Sequence, residues 1–168
     1  GGTTHNDTTI NYWNEPLNIT STDSQFDGVS IIRLQENIVY KPASSDVDGA
    51  GPYAAIVVAK DNMTIDLFGF SLILDDSNIG AFDEDAYPSC DISTVKTVHG
   101  IYIKPGVKNT RIISSMGQYS KGSIRDFTGF GVLAEGLSGA ANEIEQILID
   151  NISVGDSFGG YSFEEASS

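Results

Sequence analysis

Apolar residues in this chain fall in short alternating runs, not along helical faces. Alternation is plain in Ile65-Asp66-Leu67, Ile101-Tyr102-Ile103 and Ile147-Leu148-Ile149. Period two over so few residues predicts short strands. One run returns along the chain. It reads Gly-Ile-Tyr-Ile at 100–103, Gly-Val-Leu at 131–133 and Gly-Tyr-Ser-Phe at 160–163. The apolar residue after each Gly is Ile101, Val132 and Tyr161, spaced by 31 and then 29 residues. A return of that length marks a solenoid. Each unit holds two further apolar segments, 110–113 and 123–127 in one and 147–149 and 152–154 in the next. Turn residues separate them, among them Pro105, Gly106, Gly117, Gly122, Gly129, Gly136 and Gly139. That density of Gly leaves no room for an ordinary helix. Three short strands and three turns per unit make one coil of a parallel β-helix. A single coil cannot bury its apolar face, so coils must stack.

Earlier segments fit the same template. Ala-Ile-Val-Val-Ala at 55–59 matches the Gly-Ile-x-Ile strand. Asp61-Asn62-Met63-Thr64-Ile65 parallels Lys108-Asn109-Thr110-Arg111-Ile112, each with Asn just before a strand. Asn suits left-handed turns, and stacked amides form ladders. Ile56 and Ile101 are 45 residues apart, which places a loop insertion at about 75–98. Segments 29–34 and 38–40 are expected to form a first, irregular coil, and residues 1–28 an N-terminal arm or cap.

The stretch Asp61-Asn62-Met63-Thr64-Ile65-Asp66-Leu67-Phe68-Gly69 resembles the D-N-V-T-I-D-L-x-G rung of right-handed parallel β-helix repeat proteins of the pectin-lyase-like superfamily. Gly100 to Pro105 followed by Asn109 to Ile112 is similar to the next rung. The resemblance covers about 29–163. It implies an all-β, right-handed parallel β-helix of four to six coils. That superfamily holds polysaccharide lyases and hydrolases, viral tailspikes, adhesins and purely structural proteins, so the fold implies no activity.

The 168 residues suffice for one domain with a core. The chain begins Gly-Gly without Met, which reads as a processed product or a fragment, and 164–168 read as a tail or the start of a further coil. Asp and Glu number 23 against 9 Lys and Arg, a net charge of −14. Such a surface repels nucleic acid and anionic membranes. No apolar run reaches about 18 residues, the length that suggests a membrane span. The single cysteine, Cys90, closes no intrachain disulfide.

Candidate chemistry is sparse. Asp75, Asp76, Asp83, Glu84, Asp85 and Asp91 cluster in the insertion without an intervening Lys or Arg. They read first as a solvated acidic loop. If they hold an ion, it is Ca²⁺, a hard cation that takes six to eight oxygens, with Asp75, Asp76, Asp83, Glu84 and Asp85 as ligands. No other cofactor is expected. Adjacent Asp75-Asp76 resembles a polygalacturonase carboxylate pair, but the accompanying motifs fail. Arg111 follows Asn109-Thr110 where Asp is needed, Val98 precedes His99-Gly100 where Gly is needed, and Ile101-Tyr102-Ile103-Lys104 lacks the Arg. No Arg-x-x-Arg-x-Pro stretch marks a lyase base, so Arg111 and Arg125 read as outward, solvated side chains. His99 is a general-base candidate without an assured partner and reads as a rung-edge residue. Of four sequons, those at Asn6 and Asn18 read as glycosylation acceptors, and those at Asn62 and Asn151 as turn residues. The expected function is therefore a non-catalytic structural or surface β-helix of a virion, appendage or adhesin. It would be extracellular or virion-borne, joining other protein subunits through its arm and coil edges. The alternatives are a polysaccharide lyase or hydrolase fragment and a carbohydrate-binding module.

Overall fold

The computed structural model describes residues 10–80, 96–116, 121–135, 145–150, 152–155 and 159–164. They form fourteen strands and two 3₁₀ turns. The first coil comprises β1 (Ile10–Trp13), β2 (Leu17–Thr20) and β3 (Ile31–Arg33), and the second β4 (Asn37–Tyr40), β5 (Tyr53–Ala59) and β6 (Thr64–Asp66). The third holds β7 (Ser71–Leu74), β8 (Val98–Ile103) and β9 (Lys108–Ile113), and the fourth β10 (Gly122–Arg125), β11 (Phe130–Glu135) and β12 (Glu145–Asp150). Strands β13 (Ile152–Gly155) and β14 (Gly159–Glu164) begin a fifth. Every third strand stacks in parallel. Sheet A runs β1-β4-β7-β10-β13, sheet B β2-β5-β8-β11-β14 and sheet C β3-β6-β9-β12. The chain is thus an all-β, right-handed parallel β-helix of about four coils. Paired strands start at Ile10. The segment expected as an arm or cap therefore supplies β1 and β2, and β3 completes their coil.

The register follows the repeat. Val132 pairs with Ile101 and with Tyr161, and Ile101 pairs with Ile56. The sequence columns are thus spatial columns. Inside the tube, Leu17, Ile56, Ile101 and Val132 line sheet B, while Ile32, Ile65, Ile112 and Ile149 line sheet C. Ile38, Leu72, Ile124 and Val154 line sheet A. Ile56, Ile65, Leu72, Ile101, Ile112 and Ile124 have no solvent exposure. Each such burial contributes about 2 kcal/mol. Thr110 interrupts the sheet C lining. It pairs with Ile147, is fully buried, and its Oγ1 has no hydrogen-bond partner among the described residues. An unpaired buried hydroxyl costs about 1–3 kcal/mol. Thr110→Val keeps the shape and removes that cost, so its urea midpoint should rise by the equivalent of about 1 kcal/mol with the m-value unchanged.

The corners are held by polar groups. Asn62 and Asn109 both adopt left-handed φ of 61°. They stack one coil apart, and Asn109 Nδ2 donates to Asn62 Oδ1 at 3.0 Å. That is the ladder the two Asn-before-strand motifs predict. The Lys60 ammonium donates to the carbonyls of Phe26 and Val29 at 2.6 and 2.7 Å, tying the turn between β2 and β3 to the second coil.

Asp66 is a dense polar node. Only 1% exposed, its carboxylate accepts from Arg33 Nε (3.0 Å), Phe68 N (2.9 Å), Ser115 N (3.0 Å) and Ser115 Oγ (2.6 Å). It thereby joins three successive turns of the tube. Burial alone would raise its pKa, but the hydrogen bonds from Ser115, Phe68 and Arg33 outweigh burial and hold it below the ordinary carboxylate value. The Arg33 guanidinium also lies 4.8 Å from the ring centre of Phe68. Phe68 itself has φ 52°, in the turn closed by Phe70 N donating to the Leu67 carbonyl at 2.9 Å.

Candidate functional site

Strict alternation would send every second side chain of sheet B outward. The strands depart from it at one level. On β8, Val98 packs inward, His99 lines an outer cavity, Ile101 packs inward again, and Tyr102 joins a second apolar cluster. Gly100 therefore occupies a second consecutive inward position. A methyl there would meet the Gly131 carbonyl oxygen at 2.5 Å and Ile124 Cγ2 at 2.6 Å. Ala55 fills the same level one coil earlier and packs in the inner core beside Ile56. The recurring Gly of the repeat is this bend.

Beyond the bend, the outer face of β5, β8 and β11 carries an apolar patch. Ala54, Val57, Tyr102 and Leu133 form a separate buried cluster, with Phe130 packed against it. Beside that cluster lies a cavity of about 380 Å³. Tyr53, His99 and Phe130 give it rings, while Lys96 and Glu135 give it opposite charges. It is the candidate site that the described residues build.

His99 organises the cavity's inner wall. It is 6% exposed and stacks on Phe130, centroids 5.9 Å apart and planes 10° from parallel. Its Nδ1 accepts from Phe130 N at 2.9 Å. A nitrogen that accepts carries no proton, so the neutral ring carries its proton on Nε2. Burial pushes the His99 pKa down to about 4. The ring thus presents a donor and no free base. Burial also raises the Tyr102 hydroxyl, and the nearby Glu135 charge adds to it.

The residues singled out in the sequence are not gathered here. Asp75 and Asp76 follow β7 on sheet A and are partly buried. Asp75 accepts from Ser77 N at 3.0 Å and lies 3.9 Å from Lys41 Nζ. The Ser77 hydrogen bonds, with Lys41 assisting against burial, hold its carboxyl below the usual value. Asp83, Glu84 and Asp85, the other expected calcium ligands, lie outside the described residues, as do Asp91, Cys90, Asn6 and Asn151. Among the described residues, no group of three or more His, Cys, Asp or Glu is placed to hold a metal ion. Arg111 and Arg125 are exposed, on sheets C and A respectively. Asn18 is exposed on β2, and Asn62 is a turn residue of the ladder. His99 lies near the start of β8 and is buried. A signal for that was present in the sequence, since Phe130 follows His99 by one coil of 31 residues.

Among the described residues no helix is long and apolar enough to cross a membrane. Fold and site define a parallel β-helix with a lined outer cavity on one sheet. Comparison with protein-family models, with curated proteins and with solved structures finds no match.

Proposed function

We propose that this chain is a non-catalytic β-helix scaffold of the pectin-lyase-like type that joins other protein subunits through its coil edge, outside the cell or on a virion. The observation carrying this reading is the first coil. Strands β1, β2 and β3 pair on one side only among the described residues. Tyr12 and Ile31, on that coil, are 62% and 53% exposed. One-sided strands bearing apolar residues are templates for strand addition. The polar groups elsewhere support it too, because Asp66, Asp75 and His99 Nδ1 are each engaged by the fold. Sedimentation velocity across a hundredfold range of concentration is the test. Concentration-dependent association is expected, and the double variant Tyr12→Lys, Ile31→Lys should abolish it while circular dichroism stays unchanged. A wild-type chain that stays monomeric throughout, or a variant that associates equally, overturns the reading.

The cavity on sheet B favours a second reading, a carbohydrate-binding surface. Tyr53 and Phe130 offer faces to sugar rings, and Lys96, Glu135 and His99 Nε2 offer polar partners. Co-sedimentation with soluble polysaccharides, lost in Tyr53→Ala, supports it. Failure to co-sediment with neutral or acidic polymers removes it.

A further inference from the structure

We infer that His99 is an acid-released latch, holding the chain that enters β11 against the chain that enters β8 and thereby closing the inner wall of the sheet B cavity. This is independent of either functional reading.

Four hydrogen bonds join the two entering segments. Thr128 Oγ1 donates to the Lys96 carbonyl at 2.6 Å and accepts from Val98 N at 2.9 Å. Gly129 N donates to the Val98 carbonyl at 2.9 Å. Phe130 N donates to His99 Nδ1 at 2.9 Å. In the fourth bond an imidazole stands where a parallel strand would offer a carbonyl. It is also the one bond of the four whose acceptor can titrate between pH 4 and pH 7. The backbone pairing of β8 with β11 starts at Ile101 and Val132. The His99 ring thus extends the strand contact two residues further.

Protonation inverts that bond. Imidazolium carries hydrogen on both nitrogens, so Nδ1–H would face Phe130 N–H, donor against donor. The ring cannot easily turn away. A methyl on Gly129 would collide with His99 Nδ1 and Cε1, which measures how closely backbone and ring are packed. Phe130 covers the other side in a parallel stack. The cation would therefore be buried with its hydrogen bond lost, and separation of 128–130 from 96–99 relieves both costs. The charged and titratable groups that line the cavity with the ring are Lys96 on the segment entering β8, Tyr53 on β5 and Glu135 on β11. Burial is the cause of the lowered His99 pKa.

The sign follows from linkage. The folded imidazole titrates near 4 and an unfolded or released one near 6.5. The closed latch is therefore fully favoured above about pH 6.5 and weakens as pH falls toward 4. The accompanying change in the opening equilibrium is about two orders of magnitude.

Amide hydrogen exchange of the whole chain, corrected for the intrinsic pH dependence of exchange, tests the inference alongside an NMR titration of the His99 ring. Protection of Phe130, Gly129 and Val98 should fall by about a hundredfold between pH 7 and pH 4, while Ile56 and Ile65 in the inner core keep theirs. The loss should track the His99 titration. In His99→Gln, whose amide accepts but does not titrate, protection at these sites should not vary with pH. Should that variant fail to fold, the wild-type titration decides alone. The inference is overturned if Phe130 keeps its protection while His99 gains its proton, or if the inner core loses protection in step with Phe130.

Discussion

Gly100→Ala is expected to lower stability by about 3 kcal/mol, a large share of the roughly 5–15 kcal/mol that holds a domain of this size together. The cause is steric. The new methyl would sit 2.5 Å from the Gly131 carbonyl oxygen and 2.6 Å from Ile124 Cγ2. The first neighbour is backbone of the next coil and has no rotamer to change. Relief requires β8 and β11 to move apart, which weakens their pairing and opens the core around Ile101 and Val132. Urea denaturation reads the effect, as a midpoint lowered in proportion to the loss. Equal stability of the variant and the wild type would mean that two successive residues of β8 do not both face inward.

Asp66→Ala should be at least as damaging, by about 3–5 kcal/mol. The carboxylate is 1% exposed and receives four hydrogen bonds from three turns of the tube. Its loss strands the amides of Phe68 and Ser115 and leaves Arg33 without its partner. Asp66→Asn should retain part of the network and fall between the two. Acid dependence separates charge from geometry. An unfolded Asp titrates near 3.9, and Asp66 in the fold titrates lower. Its contribution is therefore complete above about pH 4 and is lost as pH falls through the folded value. The wild type should lose stability steeply below pH 4, and Asp66→Asn should flatten that limb while lowering the plateau at neutral pH. The His99 window lies higher, between about pH 6.5 and 4, so the two groups are resolved in one acid titration.

These two residues also mark how far the sequence could be read. The Gly-apolar-x-apolar return placed Ile101, Val132 and Tyr161 in one column, and in the fold they lie in register. Stacked repeats make this easy, since a fixed spacing in the chain becomes adjacency in space. The Asn62–Asn109 ladder was legible for the same reason. The first coil was not. Residues 10–20 are diluted with Asn11, Asn14, Glu15, Asn18 and Thr20, and a short strand paired on one side tolerates such polarity. Alternation marked Asp66 as the polar member between Ile65 and Leu67. Its three partner residues sit on segments whose alignment depends on turn shape, which periodicity does not encode. The His99 cavity was hidden similarly. Its lining comes from three separated stretches of chain, and only the pairing with Phe130 follows from coil spacing. The acidic insertion was visible as composition, yet of the five carboxylates proposed as ligands only Asp75 and Asp76 fall within the described residues.

Because every third strand lies directly upon its predecessor, the tube is also a ruler. Each coil advances the long axis by about 4.8 Å whatever the length of its loops. The step from β5 to β8 consumes 45 residues and that from β8 to β11 consumes 31, yet both rise by one strand spacing. Residues spent on loops widen the molecule, and residues spent on strands lengthen it. Evolution can therefore elaborate the flank of this rod without altering its reach, and can change its reach one coil at a time without redrawing the flank.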